Sequence, residues 1–375
     1  MQIAKIEVFQ VDLPYRGGVY RLSGGREFRS FDGTIVCVTT DNGLEGWGES
    51  TPFGATYIAA HGAGVRAGLS ETAPAVLGLD PRHVDRVYAR MDEVLVGHRH
   101  AKTPIDVACW DLFGKAVDMP VCDLLGGRIP GPIPVISSIH TADPDQMRAS
   151  IAHHRAEGFK GHSLKVGAAD HEGGPALDAE RIKACLADRQ PGEWYLVDAN
   201  GGLSVEHALR MLNLLPSGLD FVLEAPCASW RETVSLKRRV SVPILWDELI
   251  QSEEDLIQII VDDTGDGIGL KVSKQGGLTP CRRQRDIAQA SGLVISVQET
   301  TGSQIALAAL LHMASTVSRK LLRCALDTRS VIAATTASLD APILNGGVEV
   351  PQLPGLGLEV DRAALGDPIA VYEGA

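Results

Sequence analysis

The chain has 375 residues, 45% of them apolar and 22% charged, with a formal net charge of −12. That length exceeds an ordinary single domain and predicts a large core with a second lobe. The acidic balance leaves no basic stripe to neutralise phosphates, which argues against nucleic acid as a partner. No apolar run approaches the ~18 residues that suggest a membrane span, and the start, MQIAKIEVFQVDLP, alternates like a strand, with Lys5 interrupting any leader-like core. The seven cysteines show no C-x-x-C pairing and read as buried free thiols of a cytoplasmic protein.

Residues 1–50 carry alternating apolar runs, IAKIEVFQVDL and GTIVCVTT, split by Gly-rich turns, and predict an antiparallel sheet. The Gly- and Arg-rich stretch 17–30 reads as a mobile loop between strands. From 59 to 125 the period becomes helical, most clearly over 103–115, where Pro104 suits a first helical turn. Residues 1–128 are therefore expected to form an α+β lobe. His98 and His100, just before that helix, read as solvent-facing.

After Gly126 and Gly127 the rhythm turns to strand, helix, strand. Strands are predicted at 134–138, 162–166, 195–198, 221–224, 244–247, 267–271, 293–297 and 322–326, with helices such as 178–187 and 205–214 between them. About eight βα units over ~200 residues imply a parallel barrel rather than an open sheet. The barrel is expected to span 129–330. The Pro/Gly-rich tail, 331–375, cannot continue it and is expected to return to the first lobe.

Five residues sit at or just past the ends of successive short apolar runs: Lys165, Asp198, Glu224, Asp247 and Lys271. On parallel barrel strands their side chains converge on one face. Singly, a strand-end acid reads as a helix cap or a surface partner. Three in succession, bracketed by two lysines, read instead as oxygen ligands for Mg²⁺ between two bases. A nearby cation, a second ammonium and desolvation are expected to lower the lysine pKa values toward a working range. Lys274, three residues past Lys271, takes the duller role of a surface lysine.

These segments resemble the enolase superfamily, in its mandelate racemase and muconate lactonizing enzyme branch. The resemblance rests on Gly46-Trp-Gly-Glu49, Ala108-Cys-Trp-Asp-Leu-Phe-Gly-Lys115, Ser163-Leu-Lys165, Asp198-Ala-Asn200, Glu224-Ala-Pro226, Asp247-Glu248, Lys271-Val-Ser-Lys-Gln-Gly-Gly277 and the PGLGLEV run at 354–360. It implies a (β/α)7β modified TIM barrel with an α+β capping domain, Mg²⁺ on Asp198, Glu224 and Asp247, and Lys165 and Lys271 as the acid/base pair. It also implies a homo-oligomer. Two opposed lysines place the chain near the muconate lactonizing subgroup. Three departures mark it: the usual K-x-K of the second strand is Ser163-Leu-Lys165, the eighth strand ends Ala325-Leu326-Asp327 without D-x-D, and no histidine stands on the seventh strand. Thr301 stands where betaine-epimerase-like relatives tend to carry tryptophan.

Pocket candidates follow from the same likeness, in which capping-lobe loops near 15–31 and 51–61 shape specificity. Tyr57, Phe53 and Tyr20 are expected either to close over a substrate or to pack the lobe on the barrel. Ser138, His140, Asn200, Glu299, Thr301 and Asp327 are further candidates, each with a structural alternative. The expected activity is Mg²⁺-dependent racemisation or epimerisation at the α-carbon of a small carboxylate, with a cyclic or N-substituted amino acid such as a proline betaine leading. A lyase using the same enolate is the first alternative, and a non-catalytic homologue the second.

Overall fold

The structure, a computed structural model, describes residues 1–374. Three strands, β1 (Ile3–Pro14), β2 (Ser30–Thr40) and β3 (Glu45–Ser50), pair antiparallel in that order. Three helices cover them: α1 (Gly62–Val76), α2 (Val84–Val94) and α3 (Arg99–Ala116). The Gly-Trp-Gly-Glu motif is steric in origin. A Cβ on Gly46 would meet the Ala108 carbonyl at 2.3 Å and one on Gly48 the Pro104 carbonyl at 2.0 Å, so only glycine lets α3 lie on β3. Helix α3 begins at Arg99, which puts Pro104 inside the helix rather than in its first turn. That earlier start also carries His100 into the interior, at 6% exposure, where its Nδ1 meets Ser50 Oγ at 3.0 Å; only His98 faces solvent as expected.

The stretch read as a mobile loop folds into a short hairpin, Tyr20–Leu22 paired with Arg26–Phe28. Burial explains the difference, since Tyr20 and Leu22 pack with Leu13, Phe31, Phe53 and Val331 in a separate apolar cluster.

The second body is a closed parallel barrel. Its strands are β4 (Ile133–Ile139), β5 (Gly161–Lys165), β6 (Trp194–Asp198), β7 (Val222–Glu224), β8 (Ile244–Trp246), β9 (Gly267–Lys271), β10 (Val294–Gln298) and β11 (Leu322–Leu326). Each pairs with the next, and β11 pairs with β4 to close the ring. The linking helices are α4 (Pro144–Ala156), α5 (Gly174–Leu186), α6 (Val205–Asn213), α7 (Trp230–Lys237), α8 (Glu253–Asp262), α9 (Leu278–Ala290) and α10 (Gln304–Ser315). Asp143, Ser204, Ser229, Ser252 and Ser303 each cap a helix N-terminus through the side chain. Ile136, Leu196, Val222, Leu245 and Cys324 form the apolar cluster within the ring. The molecule is thus the (β/α)7β barrel with an α+β cap that the sequence predicts.

Helix α10 is apolar on nearly every face because the barrel covers one side and the cap the other. Glu49 of β3 fixes its start, accepting from the backbone N–H groups of Ser303 and Ala306 and from the Ser303 hydroxyl. The tail ends in β12 (Ala370–Glu373), which pairs antiparallel with β1 at the edge of the cap sheet. All seven cysteines are buried and unpaired, and no described helix is long and apolar enough to cross a membrane.

Candidate active site

Parallel register sets the site. Lys165, Asp198 and Glu224 are lateral neighbours at the carboxyl ends of β5, β6 and β7. Asp247 follows the last residue of β8, and Lys271 ends β9 level with Gln298 of β10. All six are buried. The backbone turns sharply just beyond this ring. Asn200 (φ 45°) and Ala225 (φ 40°) both adopt left-handed conformations, which cost on the order of 1 kcal/mol or more in residues other than glycine.

The charges interlock. Lys165 donates to Asp198 Oδ2, and Asn200 holds the same carboxylate through its backbone N–H (2.8 Å to Oδ1) and its side-chain amide (3.0 Å to Oδ2). Lys271 Nζ lies 2.5 Å from Asp247 Oδ2, while Lys274 donates to Asp247 Oδ1 at 2.9 Å. Lys274 is therefore buried inside the site and not the surface lysine expected. The four-residue helix Val272–Gln275 turns it back over the strand end. Asn200 also donates to Glu248 Oε1 at 2.9 Å, and Gln298 donates to Glu224 Oε1 at 2.6 Å.

Four carboxylates thus face three ammonium groups. Burial pushes the Glu224 carboxyl well up, and the Asp198 and Asp247 charges push it further. Asp247 goes the other way: burial would raise it, but Lys271 and Lys274 outweigh burial and hold it down. The lysines depart from the sequence expectation. Burial alone would lower both, yet Asp198 raises Lys165 and Asp247 raises Lys271 above the ordinary range. Desolvation favours the neutral amine only where no buried carboxylate sits against it.

An Mg²⁺ ion fits the chemistry of this donor set. The oxygens are hard and buried, and a cation among them would offset the repulsion from Asp198 and Asp247 that pushes Glu224 up. Asn200 Oδ1 and Glu248 Oε2 are both buried without a hydrogen-bond partner. Among the described residues, however, no three acidic, His or Cys side chains stand in ready metal-ligand geometry. The lysines hold the oxygens of Asp198 and Asp247, so those side chains must turn to share an ion.

Lys165, Lys271, Gln298, Tyr20, Phe53 and Tyr57 help to wall a chamber of about 40 Å³ at this mouth. A wider cavity, about 850 Å³, adjoins it along the cap–barrel seam, with Tyr57 in the walls of both and Glu248 and Lys274 in the wall of the wider one. Both strand-end lysines open into the smaller space. Lys271 donates to the Tyr57 hydroxyl at 2.5 Å. Ser138 also lines the chamber and meets the Tyr20 hydroxyl at 2.5 Å.

Other sequence candidates are committed elsewhere. Glu299 reaches the chamber wall, but its oxygens accept from Ser273 N, the Ser273 hydroxyl and Thr300 N. Thr301 is buried outside that wall. Asp327 pairs with Arg329, and His140 bonds Tyr15. Sequence reasoning missed Lys274 and Gln298. The position of Gln298 at the end of a barrel strand was the available signal.

Comparison with known proteins identifies the family to which this fold belongs. Residues 146–364 match the model of the enolase C-terminal domain-like family. Residues 29–126 match that of the mandelate racemase/muconate lactonizing enzyme N-terminal domain. The chain is 37% identical to a cis-3-hydroxy-L-proline dehydratase of Roseibium aggregatum, over 99% of this chain and 100% of that protein. It is 27% identical to an N-succinyl-L-Arg/Lys racemase of Bacillus cereus, over 97% of each. A solved structure of mandelate racemase/muconate lactonizing type from Roseovarius nubinhibens, complexed with magnesium, superposes with a TM-score of 0.98 at 63% identity, covering 99% of this chain and 100% of that one. The chain belongs to the enolase superfamily, in its mandelate racemase and muconate lactonizing enzyme branch.

Proposed function

We propose that this enzyme removes the α-proton of a compact cyclic amino acid and expels a β-hydroxyl, acting as a dehydratase on a hydroxyproline-like substrate. The observation that carries the reading is the opposition of Lys165 and Lys271. They end β5 and β9, the second and sixth of eight strands in a closed ring, and both open into one small chamber. In a 3-hydroxyproline whose hydroxyl is cis to the carboxylate, the α-hydrogen and the hydroxyl lie on opposite ring faces. One lysine, as the free amine, takes the α-proton. The C3–O bond breaks, and the opposite lysine, as ammonium, gives its proton to the departing hydroxyl. Water and a cyclic enamine result, and the enamine tautomerises to the imine.

Asp198, Glu224 and Asp247 would hold Mg²⁺. When bound, the ion supplies charge neutralisation to the substrate carboxylate as its proton leaves, and to the carboxylates that otherwise hold both lysines protonated. Phe53, Tyr20 and Tyr57 roof the chamber and keep it small. The likeness to the Roseibium dehydratase over nearly the whole of both chains supports elimination over the epimerisation that sequence alone put first.

A second reading keeps the same residues. Two opposed lysines also suit removal of a proton from one face and its return on the other, and the likeness to the Bacillus racemase favours that reading. Proton NMR in D₂O separates the two. Loss of the α-proton with water release and imine signals supports the dehydratase, whereas loss with appearance of the other stereoisomer supports the epimerase.

A further inference from the structure

We propose that Gln298 is the residue that positions Glu224 for metal binding. The inference rests on the reading of Glu224 as a metal ligand. Gln298 ends β10 and Glu224 ends β7, so they stand three strands apart around the ring, 74 residues apart in the chain. The 2.6 Å bond from Gln298 Nε2 to Glu224 Oε1 therefore crosses the barrel mouth. Among the described residues it is the only side-chain hydrogen bond that the Glu224 carboxylate receives. Asp198 and Asp247, by contrast, are each held by a lysine.

The amide is oriented as well as placed. Gln298 Nε2 spends one proton on Glu224 and the other on Ser296 Oγ at 2.9 Å. Ser296 is in turn held by Cys324 Sγ at 2.9 Å. Turning the amide over would set its carbonyl oxygen against the Glu224 carboxylate, a repulsion that fixes the nitrogen toward Glu224. A neutral donor is well suited to hold a metal ligand, because it fixes one oxygen of Glu224 without adding a charge to compete with a cation. The other oxygen stays available. Lysine in the same place would neutralise the ligand, and a hydrophobic residue would leave Glu224 to be pushed aside by Asp198 and Asp247. Outer partners of this kind typically change metal affinity about 10- to 100-fold.

The test is titration of the full-length, metal-free protein with Mn²⁺ (followed by electron paramagnetic resonance) and with Mg²⁺ by calorimetry. Wild type, Gln298→Met, Gln298→Asn and Glu224→Gln are compared, together with the metal-free melting temperature of each. The expected result is a metal Kd raised about 10- to 100-fold in both Gln298 variants, with metal-free melting close to wild type, and a larger loss in Glu224→Gln. Kd values within about twofold of wild type in both Gln298 variants, while Glu224→Gln loses the metal, would overturn the positioning role and leave the ligand reading intact. Unchanged affinity in Glu224→Gln would instead overturn the ligand reading, and this inference with it. The asparagine variant retains a polar amide at 298, so a misfolded methionine variant would not end the test.

Discussion

Lys271 and Tyr57 join the barrel to its cap: the ammonium at the end of β9 donates to the phenol at 2.5 Å and lies 5.0 Å from the ring centroid. The same ammonium is ion-paired to Asp247. Lys271 therefore meets a candidate metal ligand and a chamber wall together, and Tyr57 stands in the walls of both the small chamber and the wide cavity beside it. Tyr57→Phe should keep the wall and remove the hydroxyl. Steady-state kinetics should show kcat/KM reduced about 10-fold, on the scale of one charge-assisted hydrogen bond, with the melting temperature near wild type. Kinetics indistinguishable from wild type would leave the Lys271–Tyr57 bond without a role in turnover.

Removal of either lysine should abolish turnover, since elimination and epimerisation both need two proton-transferring groups. Lys165→Ala and Lys271→Ala should each lose about 10³-fold or more in kcat. The variant that retains the α-proton base should still exchange that proton with D₂O. Full turnover by either variant would refute the two-lysine assignment.

Asp247 holds two lysines as well as standing among the candidate ligands. Asp247→Asn should therefore weaken Mg²⁺ binding and also lower stability, since it leaves Lys271 and Lys274 buried without their partner. Breaking a buried pair from one side costs about 3–5 kcal/mol. Calorimetric titration and denaturant unfolding of the same preparation check both. Unchanged Mg²⁺ affinity would remove Asp247 from the ligand set.

Much of this site is legible in the sequence because strand-end position and side-chain chemistry are both local. A parallel barrel turns a recurring strand-end acid or lysine into one converging face, so Lys165, Asp198, Glu224, Asp247 and Lys271 can be placed together before any coordinates exist. What sequence hides depends on closure and on rotation. Gln298 meets Glu224 only because the ring closes across 74 residues of chain. Lys274 re-enters the site because one short helical turn follows β9. Tyr20 looks like part of a glycine-rich loop until Phe53 and Val331, far off in the chain, bury it.

Glu299 gives a pH signature of stability. Burial, despite the hydrogen bonds from Ser273 and Thr300, pushes its carboxyl up to about 8. The folded state therefore keeps a proton that the unfolded chain, near the ordinary carboxylate value of about 4.3, has lost. Its contribution to stability is fully present below the unfolded pKa and is lost as pH rises through about 8. One retained proton corresponds to a slope of about −1.4 kcal/mol per pH unit in that window. Glu299→Gln should flatten the unfolding free energy between neutral pH and about 8 relative to wild type. An equal slope in both proteins would mean that Glu299 is ionised in the fold.

Everything proposed for this site depends on opposed lysines acting at the α-carbon of a carboxylate. The decisive experiment is proton NMR of the Mg²⁺-loaded enzyme in D₂O with cis-3-hydroxy-L-proline, other hydroxyprolines, proline betaines and N-acylamino acids. The α-proton signal of cis-3-hydroxy-L-proline should disappear as imine signals grow in, and neither lysine variant should carry out that reaction. An unchanged α-proton in every compound, from enzyme shown to bind Mg²⁺, would contradict the two-lysine mechanism.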